Sequence, residues 1–388
     1  MVLSSRLRTL AVVWIAVAAA AYAVDLWRQT QVHLTNGALR PFGDDFINYW
    51  SGAYLAWHHR AADIYNWNAF HAFETGVVGA AIDFYHYSYP PVLLVLTAPL
   101  AVIPYVPALF AWLIAGWLAF YATLRALLPG RDGLLLALAT PAVFINAVGG
   151  QNGTWTAALL GGGLVALERR PRVAGVLFGL LIYKPQLGIL LPFALIAGRH
   201  FRAYAAAAAT AALLILASIL LFGADLWLSF LHNTTLLRQI ILENPTGVWH
   251  RFVSVFIAAR QLGVDVPSSY LAQAAIALTA AVIVVPAWYR DLPSPAKNIL
   301  LVLGTCLATP YVQDYDLVVG AFVVVWLSQL YPRGALPTVA LVSGGLILLL
   351  PFVASLLAHA TGLEFGPLFV APAFALAASR ALGVMDAR

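Results

Sequence analysis

Long apolar stretches separated by short polar turns run the length of the chain. Backbone groups inside a bilayer must be satisfied within their own segment, so repeated stretches of this kind read as membrane-crossing helices. The first apolar run covers roughly 9–25. Residues 26–90 break the pattern with a polar, aromatic segment. Further runs follow at about 107–127, 133–147, 154–168, 173–184, 187–198 and 203–222. A second polar segment covers 223–268, and runs resume at about 269–289, 297–309, 316–331, 336–357 and 367–383. The pattern predicts an all-α polytopic membrane protein with about 12 transmembrane helices, some of them short. It predicts a single integral membrane domain over 1–388, without a soluble domain or an internal repeat.

Within the first polar segment, Phe46, Trp50, Ala53 and Trp57 recur at i, i+4, i+7 and i+11. That spacing gives a helix one apolar face and predicts an interfacial helix in a first outer loop over 26–106. The run 91–104 has only about fourteen residues between Pro90–Pro91 and Pro104, too few to cross comfortably. It reads as a piece that re-enters and returns to the same side. That choice fixes the orientation of everything downstream.

Charge agrees with the resulting scheme. Fourteen of the 21 basic residues, but only four of the 16 acids, fall in the turns that it assigns to the inside. The positive-inside rule then places the N-terminus, with Arg6 and Arg8, in the cytoplasm. The first run reads as a retained signal anchor. Composition adds that 62% of residues are hydrophobic and 10% charged, with a mean hydropathy of +0.86, which excludes an ordinary soluble domain. The net charge of +5 is dispersed over short turns and signals no nucleic-acid partner. The one cysteine, Cys306, excludes an intramolecular disulfide and any cysteine metal cage.

The remaining polar clusters fall on the outer side. They are Asp44-Asp45 after the first run, Gly149-Gly150-Gln151-Asn152-Gly153, Tyr183-Lys184-Pro185-Gln186, the second large outer loop 223–268 and Tyr311-Val312-Gln313-Asp314-Tyr315-Asp316. Ionisable residues that converge at span ends point to a functional site. Asp45 is the candidate general base. Its neighbour Asp44 is the possible second acid, and repulsion between the two raises the pKa of one of them, which suits a base. The plain alternative makes Asp44 the cap of the 46–57 helix and Asp45 a first-turn residue favoured by the dipole. Lys184 either snorkels to the interface or holds an anionic group such as a lipid phosphate. Gln151 and Asn152 either make a tight turn or hydrogen-bond sugar hydroxyls. Arg251, in Asn244-Pro245-Thr246 through Phe252, either pairs with headgroups or makes a second phosphate contact. Asp314 and Asp316 read equally as span-end residues. The histidines never reach metal-ligand spacing with acids, and no metal site is expected.

The order Asp45-Phe46, Gly52, Asp63-Ile64-Tyr65, Tyr89-Pro90-Pro91, Gly150-Gln151-Asn152, Gly179-Leu180-Leu181-Ile182-Tyr183-Lys184-Pro185, Pro310-Tyr311 and Tyr315-Asp316 resembles the family 87 glycosyltransferases. These are the polyprenyl-phosphate-mannose-dependent mannosyltransferase-like group of the GT-C superfamily, and the likeness covers roughly 40–330. It implies a GT-C-type fold with catalytic outer loops and a polyprenyl-phosphate sugar as donor substrate, with no separate cofactor. It implies Asp45 as the base that takes the acceptor hydroxyl proton. Lys184 and Arg251 would hold the donor phosphate, and Tyr89, Gln151, Asn152, Gln313 and Asp316 would contact sugar or acceptor. The acceptor would be a glycan or glycolipid. The charge bias puts the site on the periplasmic face, and the arginine-rich, lysine-poor composition suits a bacterial inner membrane, among membrane lipids. A multi-pass transporter or flippase of lipid-linked or small polar solutes is the competing reading, since the same turns would line a pathway.

Overall fold

The computed structural model describes residues 4–381 apart from 246, 291 and 332–335. Asp291, Arg333, Asp386 and Arg388 of the charge pattern, and Thr246, lie outside the described residues. Helices and helical turns make up the fold, and no strand forms among the described residues.

Helix α1 (Ser5–Arg28) starts at Ser4, whose side chain accepts from the Leu7 amide. It is followed by α2 (Phe46–Trp57), α3 (Trp67–Val78), the one-turn α4 (Val92–Leu96) and α5 (Tyr105–Leu127). Then come α6 (Arg131–Ala139), α7 (Pro141–Val148), α8 (Gly153–Ala166), α9 (Pro171–Leu180), α10 (Leu191–Ala197) and α11 (Phe201–Phe222). The last third holds α12 (Ala224–Leu237), α13 (Val255–Gln261), α14 (Val266–Tyr289), α15 (Ser294–Ala308), α16 (Gly320–Gln329), α17 (Thr338–Thr361) and α18 (Gly366–Ala381).

By length and composition α1, α5, α11, α14 and α17 each suffice to cross a membrane. The pair α6 and α7 makes a sixth candidate, bent by 50°. The bend falls at Thr140-Pro141, because Pro141 cannot donate the amide that would continue the first helix. Five further apolar helices are shorter, at 10–17 residues. The expected span at 133–147 is therefore a broken one. Two of the long helices leave their apolar surface open: the most apolar windows of α1 and α11 are 0% and 6% buried. By contrast α15 and α16 are enclosed by protein along most of their length. A helix that is hydrophobic all round belongs in such a core, and a membrane supplies the cover for the others.

Two expectations for the polar segments are corrected. The 46–57 helix is not a membrane-surface helix, because ten of its twelve residues are buried in protein. Its Phe46, Trp50 and Ala53 face is covered by the 98–105 stretch, and Trp50 Nε1 donates to the Ile103 carbonyl at 2.8 Å. Periodicity marks an apolar face without saying what covers it. The 223–268 segment is largely helical, through α12, a π-turn at Arg238–Glu243 and α13. The 91–104 stretch folds as α4 and a 3₁₀ turn at Ala98–Val102. Its five-residue helix rises only about 8 Å, far less than a bilayer core.

Candidate active site

The site lies where four chain segments meet at one end of the bundle. The turn 149–153 sits between the start of α2 and the turn that opens at Asp314. Gly150 has a φ of +60°, and a Cβ there would collide with the Gly43 carbonyl and with Phe46. A Cβ on Gly153 would strike the Tyr315 carbonyl. Both glycines are needed for this approach, so the plain reading of the turn and its placement at the site are one fact.

Asp45 stands at the N-terminal edge of α2, as the residue before Phe46, and its side chain caps no amide. The expectation that Asp44 caps the helix is therefore wrong. Asp44 adopts a left-handed φ of +51° and is held from both sides. Arg40 Nε donates to its Oδ2 at 2.9 Å and the Tyr85 hydroxyl to its Oδ1 at 2.7 Å. Arg40 also pairs with Asp25 at 2.9 Å and donates to the Val148 carbonyl. A carboxylate so occupied is a fixed charge, not a free second acid.

Asp45 is differently placed. The Gln151 side-chain amide donates to its Oδ2 in a very short contact, and Arg251 Nη1 lies 3.8 Å from the same oxygen. Its side chain keeps 30% of its surface accessible, yet protein surrounds it closely enough to weaken hydration of the charge. Burial first, and then the Asp44 charge, push its pKa up to about 7, against the opposing pull of Arg251. At neutral pH this carboxyl exists in both forms, as a general base requires.

An amide and phenol chain runs inward from Asp45. The Tyr49 hydroxyl, one helical turn after Asp45, donates to Gln151 Oε1 at 2.9 Å and lies 2.8 Å from the Tyr89 hydroxyl. Asn152 Nδ2 donates to that Tyr89 hydroxyl at 3.1 Å, while its Oδ1 is buried without a protein partner. Asp45, Gln151, Tyr49, Tyr89 and Asn152 thus form one connected network.

The cations pair with acids. Arg251 binds Asp314 through Nε and Nη2 at 3.1 and 3.2 Å, a fork-to-carboxylate geometry. Lys184 Nζ donates to Asp316 Oδ1 at 2.6 Å, and the side chains are 3% and 2% exposed. Both cations lie against the Tyr315 ring, Lys184 Nζ at 4.4 Å and Arg251 Cζ at 5.7 Å from its centre. Asp316 Oδ2 accepts from the Gln313 amide at 3.2 Å, and the Gln313 side chain caps the same turn in return. Gln313 and Asp316 are thus tied to the turn and the ion pair. Among the described residues no group of three or more His, Cys, Asp or Glu side chains is placed to hold a metal ion.

Every candidate site residue falls in or beside this one end. Sequence reasoning missed Tyr49 and Arg40. The i, i+4 spacing of Tyr49 from Asp45 was a signal, as was Arg40, a basic residue apart from the arginine-rich turns and four residues before Asp44. The chain matches no curated protein and no solved structure. A family model described as glycosyltransferase family 87 matches residues 87–310, more than half of the chain. The matched stretch holds Tyr89, Gln151, Asn152, Lys184 and Arg251, while Asp45 precedes it and Asp316 follows it. This helical protein, with its candidate membrane spans, belongs to glycosyltransferase family 87.

Proposed function

We propose that the protein transfers a sugar, mannose or another hexose or pentose, from a polyprenyl-phosphate donor to a hydroxyl of a glycan or lipid-linked acceptor. The observation that carries the reading is Asp45, 3.8 Å from a guanidinium and joined to an amide and phenol network, in surroundings whose burial pushes its pKa up to about 7. Asp45 takes the acceptor proton as the acceptor oxygen bonds to the anomeric carbon. The bond from that carbon to the phosphate oxygen breaks, and polyprenyl phosphate leaves with one additional negative charge. One displacement of this kind inverts the anomeric configuration. A phosphate leaving group stabilised by a fixed cation needs no proton, so a single carboxyl suffices. Arg251 is the cation beside the base and takes that part. Lys184, locked to Asp316, acts through the shared Tyr315 ring by holding the turn that positions Arg251 and Asp314. Tyr89, Gln151 and Asn152 supply hydroxyl and amide contacts for the sugar, with Asn152 Oδ1 the unpartnered acceptor.

The arginine-rich turns lie at the opposite ends of these helices, a charge bias that supports a site on the extracytoplasmic face of a bacterial inner membrane. The test uses purified protein in lipid with a radiolabelled polyprenyl-phosphate sugar and a panel of glycan and glycolipid acceptors. Label should move to acceptor, with the anomeric configuration inverted by NMR. Intact donor that crosses sealed vesicles without transfer would support transport instead.

A further inference from the structure

The helices that carry the site have second ends, and these meet too. α8 runs from Gly153 beside Asn152 to the turn at Glu168, and α14 runs from Val266 to Tyr289. α15 starts at Ser294 and delivers the chain to Tyr311–Asp316. At 1.5 Å per residue the ends of α14 lie about 36 Å apart, a full membrane thickness. At this far end is a cavity of about 540 Å³ whose polar lining includes Glu168, Arg199, His200, Arg290 and Lys297. Arg169, Arg170, Arg172 and Arg202 border it in sequence.

This cavity differs in charge from the other end. There Arg40, Lys184 and Arg251 are all matched by carboxylates within 4 Å. Here, among the described residues, no carboxylate lies within that distance of Arg199, Arg290 or Lys297, and Glu168 is the only acid in the lining. Aromatic rings hold two of the cations in place. Lys297 Nζ is 5.8 Å from the centre of the buried Trp288 ring, whose Nε1 donates to the Lys297 carbonyl at 3.1 Å. Arg199 Cζ is 5.8 Å from the ring of Tyr289, which is 68% exposed. Arg199 adopts a left-handed φ of +58°, an arrangement a non-glycine residue keeps only where its surroundings enforce it. Trp and Tyr at a span end mark the level of lipid headgroups, and unmatched cations at that level attract anions.

We propose that this cavity seats the phosphodiester headgroup of an anionic phospholipid in the leaflet opposite the Asp45 site. The seat is independent of the transfer chemistry and rests only on the membrane-spanning reading. It would hold the arginine end against one leaflet and keep the Asp45 end at the other surface.

The test is native mass spectrometry of the delipidated full chain titrated with phosphatidylglycerol or phosphatidylcholine. Wild type should retain phosphatidylglycerol in preference to phosphatidylcholine. The Arg199→Gln/Arg290→Gln/Lys297→Gln variant should lose that preference by about tenfold or more. Arg125→Gln/Arg131→Gln, which removes two arginines outside the cavity, should keep it. Glycerol 3-phosphate at the lipid's concentration should displace nothing. Should the triple variant fail to fold, the exposed Arg199→Gln alone carries the comparison, with a severalfold loss expected. Unchanged preference in the variant that folds overturns the proposal, as does equal loss in the Arg125/Arg131 control. Displacement by glycerol 3-phosphate would make the ligand a soluble phosphate and also overturn it.

Discussion

Two cation–carboxylate groups flank Tyr315, and they differ in what surrounds them. Lys184 and Asp316 form a closed pair, almost wholly buried, with both carboxylate oxygens bonded to protein. Arg251 lies between two acids and is 21% exposed; it is bidentate to Asp314 and 3.8 Å from the more open Asp45. A desolvated pair contributes little net stability but costs much when one partner is lost, so the closed pair is a structural lock. The open group leaves one carboxyl, Asp45, short of a full partner, which fits its proposed role as proton acceptor. The sequence marked all five residues as polar positions at the ends of the apolar runs or between them. The structure divides them into a closed pair and a more open group.

Breaking the lock should have the largest effect. Lys184→Met leaves Asp316 buried without a counter-charge and should lower unfolding stability by about 3–5 kcal/mol. Chemical denaturation in detergent measures it, and Lys184→Met/Asp316→Leu should recover most of the loss. If the single variant costs nothing, the pair is not a lock. Arg251→Gln should act on the reaction instead, lowering kcat/KM by about 10²-fold while the protein remains folded. A loss confined to stability would place Arg251 with Lys184.

The pH dependence sharpens the comparison further. Asp45 must be ionised to accept a proton, so the transfer rate should rise with pH through about 7 and level off above it. Stability runs the other way. The folded state keeps the proton that the unfolded chain releases near pH 4, so wild type should lose stability relative to Asp45→Asn as pH rises from about 4 to about 7. Thermal unfolding of both proteins across that range reads the difference. Gln151→Leu removes a donor to the ionised form and should move the rate limb to higher pH. The smallest effect is expected at Glu74. It is buried beneath α2 with neither carboxyl oxygen hydrogen-bonded, and burial raises its pKa well above the usual range. Burial disfavours its charged form, so the uncharged, same-shaped Glu74→Gln should change stability by less than about 1 kcal/mol.

Helical class, membrane character and the meeting of Asp45 with Gln151 and Asn152 were legible, because apolar run length and the placement of arginines constrain them directly. The Lys184–Asp316 pair was not, since the partners are 132 residues apart and neither carries a local signal. The role of Asp44 was misread for a related reason. Its partner Arg40 lies on a loop whose left-handed turns at Leu39, Gly43 and Asp44 have no periodicity to read, and its other partner, Tyr85, lies beyond α2 and α3 in the chain. Helices α12 and α13 were hidden within a segment read as one polar stretch, although Ser254 does cap α13 as a start signal would suggest.

The central claim is that Asp45 is the proton acceptor, and one comparison tests it most directly. Wild type and Asp45→Asn in lipid are given the same labelled polyprenyl-phosphate sugar, and donor binding and transfer to acceptor are measured separately. The account predicts equal donor affinity and a transfer rate lower by about 10²–10⁴-fold in the variant. Transfer by Asp45→Asn at the wild-type rate would contradict it.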